Sequence, residues 1–283
     1  MKSIFAKLRA QQPQLFSAAA ISLDAATLEA LAEVVAAIES VVALPAWQSR
    51  VLAWAPEIAR QPVAAHGVFL GYDFHLTEEG PKLIEINTNA GGGLINAYLL
   101  AAHGEADKAA RIREAFVAMF REEWRLARGD APLRRIAIVD ENPGEQFLAA
   151  EFALFQELFE QHGIAAVIAD PRDLRRDGNR LVHHGDVVDL IYNRLTDFAL
   201  DATVNADLRA VFAADGVVLT PHPPAHALYA DKRNLMLLSD PGELASLGVA
   251  AETQRTLLAG IPRTVAVDPE KADFFWTDRK RWF

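Results

Sequence analysis

The chain has 283 residues, enough for two lobes or one elaborated domain, and 51% of them are hydrophobic, which provides ample core material. The net charge of −10 argues against a general nucleic-acid surface, and the absence of cysteine excludes disulfides, zinc–thiolate sites and thiol catalysis. No run approaches the roughly 20 apolar residues that span a bilayer, and the first residues lack a signal-peptide core. We therefore expect a cytoplasmic protein with no membrane or nucleic-acid role.

The first part of the chain is predicted to consist of helices around one β-hairpin. Asp24 is suited to cap the start of an amphipathic helix that continues to Val42, and Pro45 ends it. The hairpin and the helices after it are predicted over Val68 to Leu76, Lys82 to Ile86, Leu94 to Ala102 and Ala106 to Arg128.

A second part begins after Gly129 to Pro132, where the composition changes and a boundary near residue 130 is predicted. Strands and helices then follow in the order β-α-β-β-α-β, which favours a parallel sheet flanked by helices. The predicted segments are 135–140, 145–162, 165–169, a small hairpin near 179–183, 187–192, 205–213 and 216–219. Helical stretches follow from Asp231, and Pro262 to Val267 is predicted to be one more strand.

The hairpin carries three hard oxygen ligands. Glu85 and Asn87 alternate along the second strand and point to one face, and Asp73 on the first strand can share that face. Two carboxylates and an amide oxygen suit Mg²⁺, which also takes water and phosphate oxygens. The alternative is a hairpin whose polar face simply meets water.

A glycine-rich turn follows these ligands and opens the next helix. Its backbone N–H groups and the helix N-terminus are suited to hold an anion beside the metal. We therefore predict that Asn89, Gly91 and Gly92 bind a nucleotide or acyl phosphate.

The order of Asp73, Glu85, Asn87 and the glycines resembles the magnesium motif of the ATP-grasp superfamily. In most ATP-grasp ligases the motif closes the polypeptide. Here it stands in the first third, which resembles the circularly permuted branch that includes the glutathionylspermidine synthetases. The segments Val188 to Asp197 and Ala230 to Leu238 are similar to that branch, although Gly71 stands where those synthetases carry an arginine.

The resemblance implies an α/β protein with a partial, circularly permuted ATP-grasp core, made of helices plus the β-hairpin, and a pre-ATP-grasp, Rossmann-like α/β domain. Residues 1–130 would form the helical segment and metal-binding hairpin, and residues 131–228 the substrate domain. Residues 229–283 would form a helical connector that leads into a nucleotide-gripping half beyond Phe283.

The resemblance also implies an activity. Asp73, Glu85 and Asn87 would hold Mg²⁺ on the phosphates of ATP, in a ligase that joins a small-molecule carboxylate to an amine through an acyl phosphate. The alternative is a non-catalytic ATP-grasp-like fragment or metabolite-binding module, which Gly71 and the expected missing half favour. The sequence predicts neither the identity of the two substrates nor the oligomeric state.

Three further residues are predicted to bind the substrate. Glu141 and Glu145 follow the first parallel strand, where ligands bind in open sheets, and their carboxylates suit an amino group. They are equally suited to charge the start of a helix. Arg194 is suited to a substrate carboxylate, or alternatively to a salt bridge with Asp189 or Asp197.

Overall fold

The computed structural model describes residues 4–277 and residue 279 of the chain. Its helices are α1 (Ile4–Gln11), α2 (Ala25–Val42), α3 (Pro45–Leu52), α4 (Gly93–Ala102), α5 (Ala106–Arg128), α6 (Ala149–Gln161), α7 (Ala206–Ala213), α8 (Pro223–Ala225), α9 (Arg233–Leu238), α10 (Pro241–Ser246), α11 (Ala251–Gly260) and α12 (Ala272–Thr277). Its strands are β1 (Gly71–Thr77), β2 (Gly80–Asn87), β3 (Arg135–Val139), β4 (Ala165–Ala169), β5 (Leu174–Asp177), β6 (Arg180–His183), β7 (Asp186–Val188), β8 (Leu190–Asn193) and β9 (Val218–Thr220).

The chain divides into two compact units. The first comprises Met1–Leu23, Leu52–Gly71 and Asn87–Tyr229, and the second comprises Asp24–Val51, Tyr72–Ile86 and Ala230–Phe283.

The first unit is built on a four-stranded parallel sheet with the order β4-β3-β8-β9. Strands β5, β6 and β7 form a separate antiparallel sheet in the connection between β4 and β8. Helix α6 connects β3 to β4, and α7 connects β8 to β9, as expected for parallel strands that need long crossovers.

Alternate residues of the parallel strands pack on opposite faces of the sheet, because successive side chains of a strand point in opposite directions. Ile136 and Ile138 of β3 belong to a core with Phe155 of α6 and Phe120 of α5. Ala137 and Val139 belong to a second core, which includes side chains of α7. The apolar run of β3 is therefore buried on both faces, which is typical of parallel strands.

A buried carboxylate joins α5 to the loop before β1. Glu123 is 3% exposed, and its two oxygens accept the backbone N–H groups of His66 and Gly67 at 2.9 Å each. The hydroxyl of Thr220 at the end of β9 also donates to Glu123, at 2.6 Å, and accepts from the backbone N–H of Val68 at 3.0 Å. This network provides partners for backbone groups in a segment outside helices and strands.

The second unit contains most of the β1–β2 hairpin. Tyr72 of β1 donates its hydroxyl to Glu39 of α2 at 2.6 Å, and Lys82 of β2 donates to the carbonyl of Ala259 in α11 at 2.8 Å. Both strands of the hairpin are thus tied to helices of this unit.

The structure confirms the α/β class. It also confirms the cap of α2, where Asp24 accepts the N–H of Thr27 at 2.7 Å, and the bounds predicted for α5. The strand predicted at Pro262 to Val267 is wrong: these residues form neither helix nor strand, Pro262 has no backbone donor, and the N–H of Thr264 donates to the side chain of Ser239. Each helix that the structure describes is too short or too polar to span a lipid bilayer. The division at residues 130 and 228 remains a prediction.

Replacing Glu123 with alanine is expected to destabilise the protein by about 3 kcal/mol, because buried donors lose their acceptor. Urea unfolding monitored by circular dichroism measures this change. Glu122→Ala is the matched control, since Glu122 is the preceding residue of α5 and is exposed at its contact with Arg125. Equal unfolding midpoints for the two variants would show that the buried carboxylate contributes nothing.

Candidate functional site

The three predicted metal ligands lie on the β-hairpin. Asp73 is an exposed residue of β1, and Glu85 and Asn87 are partly buried residues of β2. Strands β1 and β2 pair in a two-stranded sheet. Glu85 and Asn87 are two positions apart on one strand, so their side chains leave the same face.

A lysine accompanies the hairpin carboxylate. The Nζ atom of Lys232, just before α9, lies 3.6 Å from a carboxylate oxygen of Glu85. Both side chains are accessible to solvent, so this ion pair contributes little to stability. The ion pair places a solvent-accessible cation beside a predicted metal ligand.

Among the residues that the structure describes, no group of three His, Cys, Asp or Glu side chains is arranged to hold a metal ion. A metal on the hairpin would therefore need ligands besides carboxylates. The amide oxygen of Asn87, water and phosphate oxygens are suitable ligands for Mg²⁺.

The glycine turn after β2 is held from two sides within the first unit. Glu151 of α6, which is 1% exposed, accepts the backbone N–H of Gly92 at 2.7 Å and that of Leu94 at 2.9 Å. Arg194, just after β8, donates to the carbonyl of Ala90 at 2.8 Å. The N–H groups of Gly92 and Leu94 in the predicted anion cradle thus already have a carboxylate partner.

Close packing explains the glycine at position 91. A Cβ atom on Gly91 would collide with Leu148 and would lie 2.9 Å from a terminal nitrogen of Arg194. Gly92 has φ of 88°, a left-handed conformation that glycine adopts without strain. The turn therefore approaches the sheet more closely than side chains would permit.

Arg194 is a buried cation at the carboxyl end of the sheet. It is 6% exposed, and none of the described residues accepts a hydrogen bond from its Nε atom. The salt bridges considered from the sequence do not form: Asp189 accepts the backbone N–H groups of residues 134 and 135, and Asp197 accepts those of residues 201 and 202. A buried guanidinium with unused donor capacity is suited to a ligand carboxylate.

Asp140 is an acid of this region whose pKa is raised. It directly follows β3, and burial raises its pKa to about 6, against the opposing effects of the Glu141 backbone N–H and the positive charge of Arg194. A carboxyl group that titrates near neutrality is typical of binding and catalytic sites.

Glu141 and Glu145 lie in the same loop but are exposed. Asn89 lies in the glycine turn and is partly buried. The structure thus places Asn89, Gly91, Gly92 and Arg194 in one region of the first unit, and Asp73 and Glu85 in the second unit.

Sequence reasoning missed the roles of Glu151 and Lys232. Glu151 is the one charged residue in the opening Ala149–Phe155 segment of α6, which is otherwise apolar, and this pattern is a signal for a buried functional or structural carboxylate. Lys232 lies in the helical stretch predicted from Asp231, but its sequence neighbours give no sign of its contact with Glu85.

No protein-family profile matches the chain, and no curated protein does. Among solved structures, the chain is similar to a glutathione synthetase-like effector from Globodera pallida in its apo form, with a TM-score of 0.57 and 13% sequence identity. The match covers 87% of this chain and 63% of the effector, so the chain spans less than two thirds of its neighbour. At this identity the likeness concerns the fold: the chain has a glutathione synthetase-like α/β fold.

Proposed function

We propose that this chain is an ATP-grasp-type, ATP- and Mg²⁺-dependent carboxylate–amine ligase, with its magnesium motif placed ahead of the substrate domain as in the circularly permuted branch. The activity would join a small-molecule carboxylate to an amine. The glutathione synthetase-like fold supports the proposal at the level of architecture.

One observation carries the proposal. The turn that directly follows the ligand Asn87 is fastened to the carboxyl end of the parallel sheet by Arg194 and Glu151. Ligands of open α/β sheets bind at this end. These hydrogen bonds therefore hold the turn that follows Asn87 next to the place where a substrate would bind.

The hairpin residues fit magnesium. Asp73, Glu85 and Asn87 offer hard oxygen ligands, and Lys232 supplies a cation next to Glu85 that suits nucleotide phosphates. Bound Mg-ATP would supply the phosphoryl group that activates a carboxylate. Asn89 and Gly91 would line the nucleotide, and Gly92 would shape the turn.

The substrate residues divide by charge. Arg194 would hold a substrate carboxylate, because its guanidinium is buried with an unused donor. Asp140, with its pKa near 6, would hold the ammonium group of the amine substrate and accept its proton. The exposed Glu141 and Glu145 would attract the same amine at the mouth of the site.

Glu85→Gln is expected to weaken Mg-dependent ATP binding by at least about tenfold, because a carboxylate ligand is lost while the shape is retained. Isothermal titration calorimetry with ATP, at fixed concentrations of MgCl₂, measures the affinity. Glu79→Gln is the control, since Glu79 is a highly exposed residue of the same hairpin.

Mg-dependent ATP binding that is unchanged in Glu85→Gln, or that is weakened equally in Glu79→Gln, contradicts the assignment of Glu85 as a metal ligand. Binding without release of ADP, tested over a panel of amino acids and polyamines, would favour the non-catalytic alternative.

Asp140→Asn is expected to stabilise the protein at pH 7 but not near pH 4. The raised pKa means that the folded state binds more protons than the unfolded state between about pH 4 and 6, so stability falls as pH rises through this window. Solvent screening limits the effect to about 1 kcal/mol, since the group is only partly buried.

Urea unfolding of the wild type and Asp140→Asn at pH 4.5 and 7 measures the difference. Glu141→Gln is the control, because this neighbour is exposed. A stability difference between wild type and Asp140→Asn that does not change with pH would refute the raised pKa.

A further inference from the structure

The residue after the proposed ligand Asn87 is held by an imidazole from a distant part of the first unit. Thr88 is 1% exposed, and its hydroxyl oxygen lies 3.4 Å from the Nδ1 atom of His226. This distance is long for a hydrogen bond, so the contact is a weak restraint on the Thr88 side chain.

The imidazole is itself held in one orientation. The ring of His226 stacks on Phe198, with centroids 3.7 Å apart and planes inclined by 7°. His226 also begins a π-helical turn, His226–Ala230, and its backbone N–H donates to the carbonyl of His222 at 3.2 Å. Such π-helical turns are rare and often occur at functional sites.

His222, whose carbonyl accepts the backbone N–H of His226, is also held by hydrogen bonds. His222 is 5% exposed; its Nε2 lies 2.9 Å from the carbonyl oxygen of Ala65, and its Nδ1 accepts the backbone N–H of Ala225 at 3.0 Å. Because both ring nitrogens of His222 have partners, this histidine is structural. Thr88, Phe198, His222 and His226 lie close together beside the ends of β8 and β9.

We propose that His226 is a positioning residue for the metal ligand Asn87 and acts through Thr88. Thr88 directly follows Asn87 along the backbone, so restraining Thr88 restricts the direction in which the Cα–Cβ bond of Asn87 leaves the strand end, and with it the positions that the amide can reach. This inference rests on the proposed function, because it concerns the same metal site. It assigns His226 no contact with metal or nucleotide.

The test compares His226→Ala, Thr88→Val and the double variant with the wild type. The Mg²⁺ concentration that half-saturates ATP binding is expected to rise about fivefold in each single variant, the loss expected for one weak polar contact. The double variant is expected to match the single variants, because both changes remove the same contact. His226→Asn is expected to restore binding to within about twofold of the wild type, since its amide group can take the place of Nδ1.

A second readout separates this inference from the proposed function. The side-chain amide NMR signal of Asn87, recorded without metal or ATP, is expected to shift in His226→Ala and Thr88→Val and to return in His226→Asn. The exposed His103 provides the control His103→Ala, which should leave the signal unchanged.

An unmoved Asn87 signal in His226→Ala overturns the positioning role, whatever the wild type binds. An equal rise in the half-saturating Mg²⁺ concentration in His226→Asn and His226→Ala also overturns the positioning role, because it would show that the His226 ring acts only by packing. If the wild type binds no ATP, the proposed function fails, and the Asn87 signal still decides whether His226 orients this residue.

Discussion

The arrangement of the first unit depends most on the hydrogen bonds that the carboxylate of Glu151 accepts. A buried charge is costly unless its oxygens are hydrogen-bonded, and Glu151 meets this requirement with two backbone N–H groups at the start of α4. The positive end of the helix dipole adds to the attraction. One side chain of α6 thus fixes the entry of α4 and the glycine turn before it.

Glu123 makes the same kind of interaction elsewhere in the first unit. In both places a carboxylate from a long helix accepts two backbone N–H groups in or next to an irregular segment. Glu123 accepts those of His66 and Gly67 in the loop before β1, and Glu151 accepts those of Gly92 in the glycine turn and Leu94 in the first turn of α4. Such segments have few backbone partners of their own. The unit therefore stabilises its irregular segments with buried acids rather than with additional strands.

Local patterns predicted the elements, and distant contacts determined the site. The apolar run of β3, the cap at Asp24 and the helical periodicity of α5 are each encoded within a few neighbouring residues, and the structure agrees with them. The contact of Lys232 with Glu85 joins segments far apart in sequence, and no spacing rule reveals it. The segment from Pro262 to Val267 shows the opposite limit. Its apolar run resembles a strand, but none of the strands that the structure describes pairs with it, and it is irregular.

The hydrogen bonds that hold the glycine turn also bear on the order in which the chain folds. Ala90 and Arg194 are 104 positions apart, and Gly92 and Glu151 are 59 apart. During synthesis from the N-terminus, the turn leaves the ribosome long before either partner has been made. Its geometry can be completed only after β8 has been synthesised and has joined β3, since Arg194 directly follows β8. The glycine turn is thus synthesised early in the chain but is among the last parts of the proposed site to take its final shape.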